Sequence, residues 1–174
     1  IEACAGGWFY SSLLPERRMV VCWFTDADLM TPASTRVQRN QGWYEQLRTS
    51  NVTRRRLESA GYLLDRPEYP NHFYADASTQ CMAHLLGRNW VAVGDAAMTF
   101  DPLSSHGMVS AVWSGKKAAQ AVIDGFDGSS ESLADYAQTF LQGFQNYRND
   151  HRRYYGVEQR FDNEFWRRRS RWPV

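Results

Sequence analysis

Cysteine is scarce and shows no pairing pattern. Cys4, Cys22 and Cys81 are odd in number and lack the short repeated spacing of a zinc site. A disulfide framework and a cysteine-based metal centre are thereby set aside, and a reducing, cytoplasmic setting is expected. Long apolar runs are also lacking. The longest, Met19 to Phe24, falls far short of the ~20 residues that span a bilayer, so no membrane partner is expected. No signal-peptide pattern opens the chain. Charge of one sign is not in excess either: a net +1 gives no global attraction for nucleic acid or anionic lipid. Missing too is a Gly-x-Gly-x-x-Gly turn after a strand, the element that lays a dinucleotide pyrophosphate on a helix N-terminus. The sequence starts at Ile1 and runs directly into strand-like residues, which reads as part of something longer.

What is present suits an ordered globular chain, with 43% hydrophobic and 22% charged residues. Aromatic residues reach 14%, and such side chains either fill a core or line a pocket for a flat ligand. Residues Gly7 to Leu14 and Arg18 to Thr25 are β-rich runs around Pro15-Glu16-Arg17, which predicts an antiparallel hairpin. Pro32 interrupts the chain, and Trp43 and Leu47 share a helix face beyond it. A short helix is expected over Thr53 to Ala60, its arginines Arg54 to Arg56 forming a solvated face. Pro67 and Pro70 break the chain again, His72 to Thr79 reads as a strand, and Asn89 to Val93 as a short apolar strand.

Two stronger helices follow. From Ser105 onward, Met108, Val112, Gly115, Ala119 and Val122 mark an apolar stripe, and Gly125 to Ser130 reads as a linker. Leu133, Tyr136, Ala137, Phe140, Leu141, Phe144 and Tyr147 then keep the helical period, with Ser132 and Asp135 placed as a capping box. The stretch holding Tyr154, Tyr155, Phe161, Phe165 and Trp166 is expected to be helical as well. Its basic end, Arg167 to Arg169 with Trp166 and Trp172, is either a solvated helix end with packed aromatics or a base-stacking surface. The first reading is preferred, and no nucleic-acid partner is expected.

The segment richest in chemical signal runs Trp90-Val-Ala-Val-Gly94-Asp95-Ala-Ala-Met-Thr-Phe-Asp101-Pro102-Leu-Ser-Ser-His106-Gly107-Met108. It reads as a strand, a Gly-Asp turn, a loop carrying a proline, and a glycine near the start of an apolar helix. Gly94 either lets the backbone approach a ligand or adopts a conformation closed to other residues. Asp95 at a strand end can accept hydrogen bonds from ligand hydroxyls, or cap a helix. Unsatisfied N–H groups at the helix start favour an anion, or a ring that becomes anionic on reduction. His106 either faces a ligand, caps the helix or bonds a backbone carbonyl. It is assigned nearness to the cofactor and no catalytic role. Ser104 and Ser105 lack a Gly-x-Ser-x-Gly elbow and read as caps.

Gly94-Asp95-Ala96-Ala97, Asp101-Pro102-Leu103 and Gly107 resemble the second FAD-binding motif of the aromatic hydroxylase fold. The resemblance is closest to the branch of flavin-dependent halogenases and related monooxygenases, over roughly residues 89 to 125. It implies FAD as cofactor, with Gly94, Asp95, Pro102, His106, Gly107 and Met108 as cofactor-binding residues. The aspartate matching Asp95 would bond a ribityl hydroxyl, and the proline matching Pro102 would lie beside the isoalloxazine ring. The amides of Gly107 and Met108 would face the pyrimidine end. Two departures from the halogenases stand out. Trp8-Phe9-Tyr10-Ser11-Ser12-Leu13 holds only the first Trp of their Trp-x-Trp-x-Ile-Pro motif, and Ser104 stands where they carry a catalytic Glu.

The expected fold class is therefore α+β: antiparallel substrate-domain strands plus C-terminal helices, a fragment of a two-domain FAD-binding fold of aromatic-hydroxylase type. Residues 1–88 would belong to the substrate-binding domain, 89–125 to the flavin-contacting strand-loop-helix, and 126–174 to C-terminal helices. The expected activity is FAD-dependent monooxygenation of a small-molecule or carrier-bound substrate, the fragment alone being inactive. A missing N-terminal FAD-binding segment would be its partner. Flavin-dependent halogenation, reduction and a non-enzymatic binding module are the alternatives. No catalytic residue and no metal ligand are assigned.

Overall fold

The β-rich runs around Pro15-Glu16-Arg17 do pair, and a third strand joins them. Strands β1 (Glu2–Cys4), β2 (Gly7–Leu13) and β3 (Met19–Phe24) form an antiparallel sheet in that order, with Phe9 opposite both Glu2 and Trp23. The structure is a computed structural model that describes residues 1–30, 36–62, 73–129 and 131–171. The breaks read at Pro32, Pro67 and Pro70, and the residues His72, Ser130 and Trp172, lie outside the described residues. Helices α1 (Arg36–Thr49) and α2 (Val52–Ser59) follow, then the two-residue strands β4 (Gln80–Cys81), β5 (Leu86–Gly87), β6 (Trp90–Val91) and β7 (Met98–Thr99). Helices α3 (Gly107–Phe126), α4 (Ser132–Val157) and α5 (Glu164–Ser170) complete the described chain.

The chain divides into two compact units, residues 1–74 with 154–173, and residues 75–153. The first unit packs apolar groups on one face of its sheet. Phe9 is fully buried with Cys4, Leu47 and Leu57, and its ring lies 4.5 Å from Trp23 and 6.3 Å from Trp43. Trp8, the preceding residue along β2, points to the opposite face as strand alternation demands. There it stacks on Phe24 and donates its indole N–H to the buried Tyr155 hydroxyl at 2.8 Å. Cys4 is a packing residue: burial, then the charge of Glu2, pushes its thiol up to about 11, so almost no thiolate exists at neutral pH.

Glu2 serves as a remote cap. Its carboxylate accepts the amides of Asn51, Val52 and Thr53 at 2.8, 2.9 and 2.6 Å, at the N-terminus of α2. Partial burial alone would raise its pKa, but the amide bonds outweigh it and hold the group below the ordinary glutamate range. A lowered folded pKa means stability that is present above the unfolded value and lost as pH falls through the folded one. Glu2→Ala is expected to cost about 1–2 kcal/mol at neutral pH, the range of a lost helix cap. The deficit relative to wild type should shrink as pH drops below ~4.5, the ordinary glutamate value. Urea melts at pH 7 and pH 3 check this, and an equal deficit at both would show that the charge is irrelevant.

The basic end of the chain is engaged. Arg168 and Arg169 bond Asp26 and Asp28, Arg168 also pairs with Glu164, and Arg167 pairs with Asp162. The Arg169 guanidinium lies 3.8 Å from the centre of the Phe165 ring, and Phe165 and Trp166 are buried. This is the packed-aromatic arrangement, with carboxylates beside its part-exposed cations.

The second unit departs from the sequence reading in three places. Residues 75–79, like 73 and 74 before them, form no strand: here side chains bond the backbone instead of a ladder, Thr99 Oγ1 donating to Ser78 O and Thr79 Oγ1 accepting from Asp101 N. The capping box is absent, because Ser132 Oγ pairs with Ser129 Oγ while Glu131 O takes the first amide of the helix. The stripe on α3 is misphased. The helix turns Ser114, Ala118 and Ala121 inward, leaving Met108, Val109, Val112, Ile123 and Phe126 exposed. On α4, Tyr136, Phe140 and Tyr147 face inward as the period predicts while Leu141 of the same expected stripe is exposed, and Trp113 of α3 stacks on Phe140 at 5.9 Å. No helix among the described residues is long and apolar enough to cross a membrane.

Candidate flavin-facing site

The segment singled out in the sequence becomes a succession of short pieces in the second unit. Ala92 is held from both sides, its amide donating to Leu85 O and its carbonyl accepting the Tyr136 hydroxyl at 2.7 Å. The chain then makes a tight turn over Gly94–Ala96. Gly94 is buried, sits at φ +55° and donates its amide to Ser114 Oγ of α3 at 2.9 Å. A Cβ there would stand 3.3 Å from that of Ala111. Of the two roles open to Gly94, backbone conformation and close helix packing are the ones the geometry displays. Asp95, beside it at the tip of the turn, is exposed, and its carboxylate has no hydrogen-bond partner among the described residues.

After β7 the chain reaches Asp101, whose carboxylate caps the next turn by accepting the Leu103 amide at 2.9 Å. Asp101 O accepts both the amide and the hydroxyl of Ser104. The turn Pro102–Ser104 places Pro102 at the surface, and Ser105 follows in the left-handed region at φ 55°. His106 turns its ring back so that Nδ1 lies 2.8 Å from Ser104 O, which puts the proton on Nδ1 and matches the carbonyl-bonding alternative. His106 does not cap the helix with its side chain.

The start of α3 is consequently open. The first carbonyl to accept within the helix is His106 O, from Ser110 N. The amides of Gly107, Met108 and Val109 find no acceptor among the described residues, and the side chains of Met108 and Val109 are 84% and 71% exposed. Three free donors at the positive end of a 20-residue helix form a place where negative charge is stabilised. Two shallow clefts elsewhere, one along Gly156–Arg171 and one between α3 and α4 around Lys117 and Asp135, include none of these residues. Among the described residues no group of His, Cys, Asp or Glu could hold a metal ion.

Sequence reasoning gives no role to the residues behind the loop. Thr79, Tyr147 and His151 surround Asp101, with His151 Nε2 at 3.4 Å from Asp101 Oδ2 and both residues buried. The period of α4, which already includes Tyr147, could have found His151 one turn further on; no such signal points to Thr79.

Neither a family model nor a solved structure matches this chain. It is similar to the protein named "Putative FAD-dependent oxidoreductase LodB" of Marinomonas mediterranea, with 29% identity over 170 residues. The likeness covers 97% of this chain and 43% of that protein, so the chain spans less than half the length of the curated relative it matches.

Proposed function

We propose that these residues hold the flavin end of FAD in an oxidoreductase, and that its reaction is the monooxygenation of an organic substrate. The observation that carries the reading is the open row of amides at Gly107, Met108 and Val109, which begins after the three residues that follow Asp101-Pro102-Leu103. The residues present fit the group. Asp95 offers an exposed carboxylate to a ribityl hydroxyl, Pro102 a flat apolar edge beside the ring, and the amides donors for its pyrimidine end. FAD, when bound, supplies the hydride and oxygen chemistry. The chain's own part is to hold the ring and stabilise charge on it, with His106 kept near by its bond to Ser104. The likeness to a protein named as an FAD-dependent oxidoreductase supports the cofactor and the reaction class.

In this reading the chain is a fragment of a two-domain fold of aromatic-hydroxylase type, and a separate N-terminal segment holds the adenosine half of FAD. The exposed stripe of Met108, Val109, Val112, Ile123 and Phe126 is an apolar surface of the kind that such a segment would cover. The substrate is a small molecule or a carrier-bound one. Ser104 in place of a catalytic Glu favours oxygenation over halogenation.

The longer protein containing these residues is expected to purify yellow, with flavin absorbance that survives desalting. Asp95→Ala should weaken FAD by roughly two- to tenfold, the worth of one hydrogen bond at about 0.5–1.5 kcal/mol. Equilibrium titration of apoprotein with FAD measures it. A colourless protein that takes up no FAD overturns the reading. An unchanged affinity in Asp95→Ala removes Asp95 from the site. Substrate oxidation that proceeds equally without dioxygen overturns the monooxygenase assignment alone.

A further inference from the structure

We propose that Asp101, Tyr147 and His151 form a positioning clamp that sets the orientation of the Pro102 loop, and through it the aim of the α3 amides. The inference rests on the flavin reading above and adds to it residues that do not touch the cofactor. Asp101 is bonded through every polar group it has. Its amide donates to Tyr147 Oη at 2.9 Å and to Thr79 Oγ1 at 3.1 Å, and those two hydroxyls are themselves 2.7 Å apart. Its Oδ1 accepts the Leu103 amide, its Oδ2 faces His151 Nε2 at 3.4 Å, and its carbonyl accepts twice from Ser104. No rotation of Asp101 preserves this set, so the residue before Pro102 has a single orientation.

The Tyr147 ring extends the hold to both sides of the loop. It meets Phe100 edge-on at 4.9 Å and His106 at 6.0 Å, and it lies 5.8 Å from His151 one turn along α4. Phe100 precedes the loop and His106 is the last residue before α3, so one side chain gauges the entry and the exit. Burying an acid and a histidine together is costly, and an apolar pair of the same volume stabilises as well or better. What the polar cluster adds is direction: each bond fixes an angle, whereas apolar contacts fix only a distance.

The clamp predicts that its loss changes the bound flavin more than it changes flavin binding. The test uses the longer flavoprotein with Tyr147→Phe, Asp101→Asn, His151→Leu and His151→Gln. Tyr147→Phe removes one oxygen and keeps the ring, so it carries the test if Asp101→Asn does not fold. FAD should stay bound in Tyr147→Phe and His151→Leu, with the flavin absorption bands shifted. The preference for reduced over oxidised flavin should fall about tenfold, read as a midpoint potential about 30 mV lower for a two-electron couple. His151→Gln keeps an N–H donor for Asp101 and should restore the wild-type potential. Variants that melt earlier but keep the wild-type spectrum and potential would assign the cluster to the fold alone. They would overturn this inference and leave the flavin reading standing. A wild-type protein without FAD would overturn both.

Discussion

Phe9→Ala is expected to destabilise the first unit by about 3–5 kcal/mol, the range for truncating a fully buried aromatic side chain. Phe9 has no solvent exposure at all, and it stands in the middle strand of the sheet, paired with Glu2 on one side and Trp23 on the other. Its ring contacts the Trp23 and Trp43 rings, and its cluster includes Leu47 from α1 and Leu57 from α2. Sheet and both helices therefore lose a shared partner at once. Local collapse closes the cavity poorly, because its walls come from the sheet and from both helices, with Trp23 held by strand register. Neighbouring Tyr10, 40% exposed, supplies the control, and Tyr10→Ala should stay within about 0.5–1 kcal/mol of wild type. Denaturant melts followed by tryptophan fluorescence separate the two, since Trp23 and Trp43 report on the same cluster. A loss below about 1.5 kcal/mol in Phe9→Ala would mean that α1 and α2 do not depend on this residue.

That core is partly legible in the amino-acid sequence. The hairpin announces itself because Pro15-Glu16-Arg17 separates two runs of aromatic and β-branched residues, a local signal. Strand β1 does not, because three residues have no period and their pairing with β2 is seen only once the sheet is built. Helices α1 and α2 can be located, α2 within a residue of its bounds, because Trp43 and Leu47 have the i, i+4 spacing of one helix face and Arg54 to Arg56 read as a solvated one. The phase of α3 misleads for a physical reason: the helix is apolar on two faces. The large residues look like a core stripe, but Ser114, Ala118 and Ala121 are the ones that allow close approach, and they face inward.

The candidate site divides in the same way. Gly94, Asp95, Pro102, His106, Gly107 and Met108 lie within 15 residues of sequence, so their order along a turn, a loop and a helix start can be read directly. The His151–Asp101 contact joins residues 50 apart, and nothing local in either stretch points to the other. The strand expected over 72–79 fails from the same cause. Phe73, Tyr74 and Thr79 are β-formers by composition, yet Thr79 Oγ1 accepts the Asp101 amide and Ser78 O accepts the Thr99 hydroxyl, so side chains take the place of ladder bonds.

Gly94→Val tests the join between the Gly-Asp turn and α3, and its expected cost is about 2–5 kcal/mol. Two separable terms add up to that figure. The backbone sits at φ +55°, where a residue with a Cβ is strained by about 1–2 kcal/mol, and a β-branched one is a genuine outlier. Packing supplies the second term, because the new Cβ would stand 3.3 Å from the Cβ of Ala111. Overpacking of that kind costs typically about 1–3 kcal/mol. The two can be separated with Ala111→Gly. That change removes the opposing methyl and leaves the backbone strain untouched, although it carries its own helix penalty of about 1 kcal/mol. In a double-mutant cycle of Gly94→Ala and Ala111→Gly, the coupling energy should be favourable and about 0.5–1.5 kcal/mol, as for residues in direct contact. The residual cost of Gly94→Ala after that coupling is the strain of the positive φ. A coupling near zero would mean that the turn does not rest on α3 at this point. Gly94 would then be held by the Ser114 hydroxyl alone, and Ser114→Ala, rather than Gly94→Val, would be the change that releases the turn.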